Sequence, residues 1–133
     1  MVVIPAIDLK DGVCVRLRQG CADDVTRYNA DGAGQARFWR DEGGEERHVV
    51  DLDGAFAGSP KHCGTIAAII AAFGRPVEVG GCLRTMKALE SVLSCGAARA
   101  IIGSAAIENP GLLREAISEF GSQKTTILLS LSL

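Results

Sequence analysis

The sequence predicts an α/β fold of right-handed βαβ units around a parallel sheet. Two observations carry that prediction. Short apolar runs alternate with helical stretches along the whole chain, and strands that feed helices at this spacing return parallel to one another. The apolar runs are also nearly continuous, as expected of strands covered on both faces.

The first strand spans Val2 to Leu9 and carries a polar residue, Asp8, at its end. The alternation Val13-Cys14-Val15-Arg16-Leu17 suggests a small hairpin before the first helix. That helix runs from Ala33 to Glu42 and is stopped by Gly43-Gly44. His48-Val49-Val50-Asp51-Leu52 is the second strand, and Ser59-Pro60 opens the second helix, which ends at Gly74. Pro76-Val77-Glu78-Val79 is the third strand and runs into Gly80-Gly81; Thr85 caps the third helix and Gly96 closes it. Arg99 to Ile102 is the fourth strand, leading into Gly103-Ser104. Asn109-Pro110 opens a fourth helix that Gly121 ends, and Thr125 to Leu131 forms a fifth strand. This order permits a doubly wound sheet or part of a barrel. Polar residues and glycines recur just after strand C-termini, where parallel α/β folds place their chemistry.

The chain has 133 residues and is 47% hydrophobic, enough for one core, so residues 1–133 are read as a single domain. Fourteen basic against sixteen acidic residues, scattered along the chain, exclude the electrostatic footprint of a nucleic-acid binder. No apolar run reaches the ~20 residues of a membrane span, and Asp8, Lys10 and Asp11 interrupt any signal-like start. The expectation is a soluble, cytoplasmic protein. Five cysteines show no C-x-x-C spacing, and the adjacent His62-Cys63 is too little for a metal centre. Reduced, packed thiols and no metal are expected.

Several residues are placed to carry chemistry. Asp8, flanked by Ile7 and Leu9, is either a partly desolvated proton-transfer acid or a solvated turn residue. Asp51 and Asp53 are either ligands for a sugar or metal, or loop acids satisfied by backbone N–H groups. Gly80-Gly81 and Gly103-Ser104 follow neighbouring strands, where glycine lets backbone N–H groups approach an anion and Ser104 adds a hydroxyl. Arg84 brings positive charge to the same rim. His48, Phe38 and Trp39 read as structural, and Glu78 reads as an inward-pointing acid that needs an Arg or Lys partner.

Four motifs in this order resemble one family. They are Ile4-Pro5-Ala6-Ile7-Asp8-Leu9-Lys10-Asp11-Gly12, His48-Val49-Val50-Asp51-Leu52-Asp53-Gly54-Ala55, Val77-Glu78-Val79-Gly80-Gly81 and Gly103-Ser104-Ala105-Ala106. The family is the phosphoribosylformimino-aminoimidazole-carboxamide ribotide isomerase of histidine biosynthesis. The sister synthase (cyclase) subunit of imidazole glycerol phosphate synthase usually has Cys and Val where Ala6 and Leu9 stand, so the isomerase fits better. The resemblance implies an Amadori rearrangement that needs no cofactor or metal. It implies that Asp8 is the base at the sugar C2. Gly80, Gly81, Gly103 and Ser104 would form one of two phosphate sites, and Arg84 would contact substrate. Asp51 would line the pocket less directly.

The resemblance also implies a TIM-type barrel, of which this chain would be a parallel (βα)4 half barrel with a fifth C-terminal strand. Ser132 stands roughly where the family's second catalytic aspartate is expected, and Cys82 replaces a loop glycine. An open half barrel exposes sheet edges and an apolar face, so a homo-oligomer, a dimer or higher, is expected. Two functions stay open: an isomerase active only as an assembled pseudo-barrel, and a non-catalytic half barrel that binds a phosphorylated sugar, free phosphate or another protein.

Overall fold

A computed structural model of the chain describes residues 2–17, 25–57, 59–81 and 83–128. Its sheet is mixed rather than wholly parallel: among the described residues, seven strands stand in the order β3-β2-β1-β4-β5-β6-β7. Strands β1 (Ala6–Lys10), β4 (Arg47–Asp51), β5 (Val77–Gly80), β6 (Arg99–Ile102) and β7 (Thr125–Ile127) run parallel in sequence order. Strands β2 (Val13–Leu17) and β3 (Val25–Asn29) add an antiparallel flap beside β1. The expected hairpin is therefore present, and it continues into a third strand. Its turn is Asp11-Gly12, with φ of 52° and 75°. Both central residues with positive φ is the geometry that makes Asp-Gly a two-residue hairpin turn.

The helices follow local signals closely. α1 (Gly32–Asp41) is capped by Asp31, whose carboxylate accepts from Gly34 N at 2.9 Å. α3 (Cys63–Phe73) ends at Gly74 in the left-handed conformation, with φ 65°. Thr85 caps α4 (Met86–Ser94) by accepting from Ala88 N at 3.1 Å. Asn109 caps α6 (Pro110–Phe120), with Pro110 in its first turn. Two short helices, α2 (Leu52–Ala57) and α5 (Ala105–Glu108), fill segments read as loop or turn. The expected start at Ser59-Pro60 is corrected: α3 begins at Cys63 because Lys61 and His62 turn their N–H groups to the Asp51 carboxylate. Of the fifth strand, Thr125 to Ile127 pairs with β6, and Leu128 N donates to Ile102 O at 3.1 Å. Its continuation to Leu131, Ser132, Cys21 and Cys82 lie outside the described residues.

Parallel strands laid down in sequence order by right-handed crossovers put their helices on one face. That face holds the core: Leu9, Val49, Val77, Val79 and Ile102 pack against Ile66, Ile69, Phe73, Leu89 and Val92. The opposite face carries Asp8, His48, Val50, Glu78 and Arg99, none of them fully buried. This is the arrangement of part of a (βα) barrel with extra strands. Among the described residues, no helix is long and apolar enough to cross a membrane. Cys14, Cys63 and Cys95 are free thiols.

Candidate functional site

The C-terminal ends of β5 and β6 border a cleft of about 260 Å³, lined among others by Gly80, Gly81, Arg84, Gly103 and Ser104. Five residues expected at an anion site thus come together. Each stands within a few positions of a strand end, so parallel pairing of β5 with β6 is enough to converge them. Arg84 bridges the two loops: its Nη2 donates to Ser104 Oγ at 3.1 Å, and its Nη1 donates to the Glu108 carboxylate. That contact holds the Glu108 carboxyl below its ordinary range, first through the hydrogen bond and then through the charge of Arg84. Neither His48 nor Leu128 was expected at this cleft, and both line it.

Asp8 lies on the same face of the sheet, one strand further on. The registers Asp8↔Val50 and Val50↔Gly80 make one row across β1, β4 and β5. Aligned residues of parallel strands share a face, so Asp8 and Gly80 stand two strand spacings apart, roughly 10 Å. Asp8 borders its own hollow, about 340 Å³, with Cys14, Tyr28 and Trp39 among its walls. Burial pushes the Asp8 carboxyl above its ordinary range, and the charge of His48 only partly offsets this.

Asp51 is placed differently. It is 1% exposed and belongs to the helix side of the sheet. Its oxygens accept from Gly54 N (2.8 Å), Lys61 N (2.7 Å) and His62 N (3.2 Å). The carboxylate is used to shape the loop after β4 and does not line the cleft. Gly81 packs against the Asp51 backbone, so Asp51 supports the cleft from behind. Nearby, Asp53 accepts from Asp11 N at 2.6 Å and pairs with the His62 ring. Burial works to raise the Asp53 carboxyl; the bonds from His62 and Asp11 outweigh it and hold the group below its ordinary range. Ligand atoms of Asp51, Asp53 and His62 lie within 4.8 Å of one another. Three backbone donors hold Asp51, while Asp11 N and the His62 ring hold Asp53, so these residues clasp the loop after β4.

Glu78 gains the arginine it was expected to need, Arg99 at 3.4 Å, and also His48 Nδ1 at 3.0 Å. Arg99 pairs with Glu46 as well. These charges line the open face below the row that holds Asp8.

A partial (βα) barrel with a cleft at the C-terminal ends of its parallel strands is the class this fold and site define. The chain belongs to the histidine biosynthesis protein family, whose pattern matches residues 2–132. It is 52% identical over 120 residues to an isomerase of Pelobacter propionicus, covering 90% of this chain and 49% of that protein. The isomerase is 1-(5-phosphoribosyl)-5-((5-phosphoribosylamino)methylideneamino) imidazole-4-carboxamide isomerase. Proteins of the same description in Leptothrix cholodnii and Desulforamulus reducens are 50% and 48% identical over 123 residues. Those matches cover 91% and 92% of this chain, and 49% and 50% of the relatives. The chain spans about half the length of the curated relatives it matches.

Proposed function

We propose that the chain is a TIM-type half barrel that binds a phosphorylated sugar. In this reading Gly80, Gly81, Gly103, Ser104 and Arg84 take a phosphate, Asp51 holds their loops in place, and Asp8 takes a proton from the sugar. The reaction is the aldose-to-ketose isomerisation of a bis-phosphorylated aminoimidazole ribotide: Asp8 takes the sugar C2 proton, Asp8 of a second copy supplies the proton that opens the ring, and no cofactor or metal takes part. The observation that carries the reading is the row Asp8–Val50–Gly80, which leaves room for a sugar ring between carboxylate and phosphate. A carboxyl raised by burial is suited to take a carbon-bound proton, because its conjugate base is stronger than a solvated carboxylate. Covering the open face favours catalysis, since excluding water there desolvates the Asp8 carboxyl beyond what the single chain achieves. We propose a second copy as the cover: Leu128, which lines the cleft, is 53% exposed.

The test is isomerase activity of the purified chain at an oligomeric state fixed by mass measurement, with Asp8→Asn as control. Turnover by an oligomer, reduced at least ~100-fold by Asp8→Asn, is the expected result. An oligomer that binds phosphate without turnover would replace the isomerase reading with a non-catalytic, self-associating phosphate-binding half barrel. A stable, inactive monomer that binds no phosphate would overturn both.

A second outcome concerns stability. A carboxyl whose pKa is raised in the folded state binds its proton more tightly there than when unfolded, so stability falls as pH rises through that window. Asp8→Asn removes this loss. Its melting temperature should exceed the parent's at pH 7 and the two should converge toward pH 3, as read by calorimetry across that range. A variant less stable than the parent at pH 7 would show that Asp8 is held by bonds that compensate its burial.

A further inference from the structure

The carboxylate of Glu108 occupies the guanidinium that the cleft needs for an anion. Arg84 reaches the cleft through its Nη2 bond to Ser104 Oγ at 3.1 Å, while its Nη1 is taken by the Glu108 carboxylate. Glu108 ends α5, the short helix that follows Gly103-Ser104, so the acid is anchored on the loop that forms one wall of the cleft. The pair is half open to water, with side-chain exposures of 45% for Arg84 and 54% for Glu108. An exposed ion pair is weak and exchangeable, whereas a phosphate offers the guanidinium two oxygens and more charge. The Nη1–Nη2 side of Arg84 is the one turned to Ser104 and Glu108, so an anion that takes that side with two oxygens meets the Glu108 carboxylate there.

We propose that Glu108 is an internal competitor for the phosphate site: it holds Arg84 in the empty cleft and is displaced when phosphate binds. This deepens the phosphate-binding reading and rests on it. Glu108 is then a residue that sets affinity without touching the ligand. It keeps Arg84 positioned over Ser104, and it disfavours weakly charged anions that cannot displace a carboxylate. A dianionic phosphate ester competes successfully; a carboxylate metabolite, carrying no more charge than Glu108, gains little. The acid thereby works as a selectivity filter for phosphate.

The experiment is a titration of the full chain with inorganic phosphate, and separately with acetate, followed by NMR on the backbone of Gly81, Gly103 and Ser104 and on the Arg84 side chain. Parent, Glu108→Gln and Arg84→Met are compared. Glu108 is exposed at a helix end, and glutamine keeps its shape, so circular dichroism should be unchanged. Glu108→Gln should bind phosphate about two- to fivefold more tightly than the parent, the range of an exposed ion pair. It should also bind acetate measurably where the parent does not. Arg84→Met should lose most phosphate affinity. Phosphate binding by the parent that is unchanged or weakened in Glu108→Gln, yet lost in Arg84→Met, would overturn the competitor and leave the phosphate site intact. Absence of phosphate binding in both parent and Glu108→Gln would overturn the site itself, and the competitor with it.

Discussion

Arg47→Met should stabilise the fold by about 1–4 kcal/mol, the range seen when a buried charge gives way to an apolar side chain of similar volume. Arg47 is 0% exposed, and none of its three guanidinium nitrogens has a hydrogen-bond partner among the described residues. Its neighbours are aromatic: the guanidinium carbon lies 5.8 Å from the Trp39 ring centroid and 5.9 Å from that of Phe73. Two such contacts return about 2 kcal/mol each when desolvated, less than burying an unpaired cation costs. Burial accordingly lowers the Arg47 pKa to about 10, and the nearby Cys14 only partly offsets it. Methionine keeps the stem between the rings and leaves the charge out. Arg47→Ala vacates the space and should fall at least about 2 kcal/mol below Arg47→Met. Urea unfolding at pH 7 measures all three chains. Equal losses in the two variants would show that the guanidinium itself holds the fold together. Arg47 faces the helices, while His48 and Val50 of the same strand face the cleft, so phosphate binding should be unaffected by Arg47→Met.

Arg47 also shows where reading the chain reaches its limit. The caps at Thr85 and Asn109-Pro110 and the stops at Gly74 and Gly121 were legible because each depends on residues within one turn. Gly80, Gly81, Arg84, Gly103 and Ser104 were legible as a group because a parallel sheet brings successive strand ends together. β3 was not: Val-Thr-Arg-Tyr-Asn is largely exposed along its length, and an edge strand with little buried surface leaves no apolar signature. The start of α3 was displaced by a bond between residues ten apart, Lys61 N to Asp51, which no local pattern reports. His48 was read as structural because its place at the head of a strand says nothing of how far the cleft reaches down the sheet. Glu108 was missed because its pairing with Arg84 spans 24 positions and depends on a helix of four residues that reads as a turn.

Removing the Asp51 carboxylate should cost about 3–4 kcal/mol and weaken the phosphate site with it. Its oxygens receive three backbone N–H groups, two of them from the segment that enters α3 and one from α2. Bonds to a charged acceptor are worth about 1.5–3 kcal/mol each, but they are not additive, since partly exposed donors recover water when the acceptor is lost. Asp51→Asn keeps the shape but sets an NH2 group against backbone donors, so it should lose about half as much. The opposite side of the same contact is Gly81, with φ 123°. A Cβ there would stand 2.4 Å from the Asp51 carbonyl oxygen. Gly81→Ala therefore meets both a backbone conformation that alanine resists and a backbone atom that cannot yield, for about 2–4 kcal/mol. Urea unfolding gives the stability loss, and phosphate titration of the folded fraction gives the effect on the cleft. Stability loss with unchanged phosphate affinity would mean that the β4 loop and the anion site are independent. Loss of both in Asp51→Asn and in Gly81→Ala would mean that the acid acts on the ligand through Gly81. A buried carboxylate at a strand end then serves the chemistry by fixing a glycine that a side chain would displace.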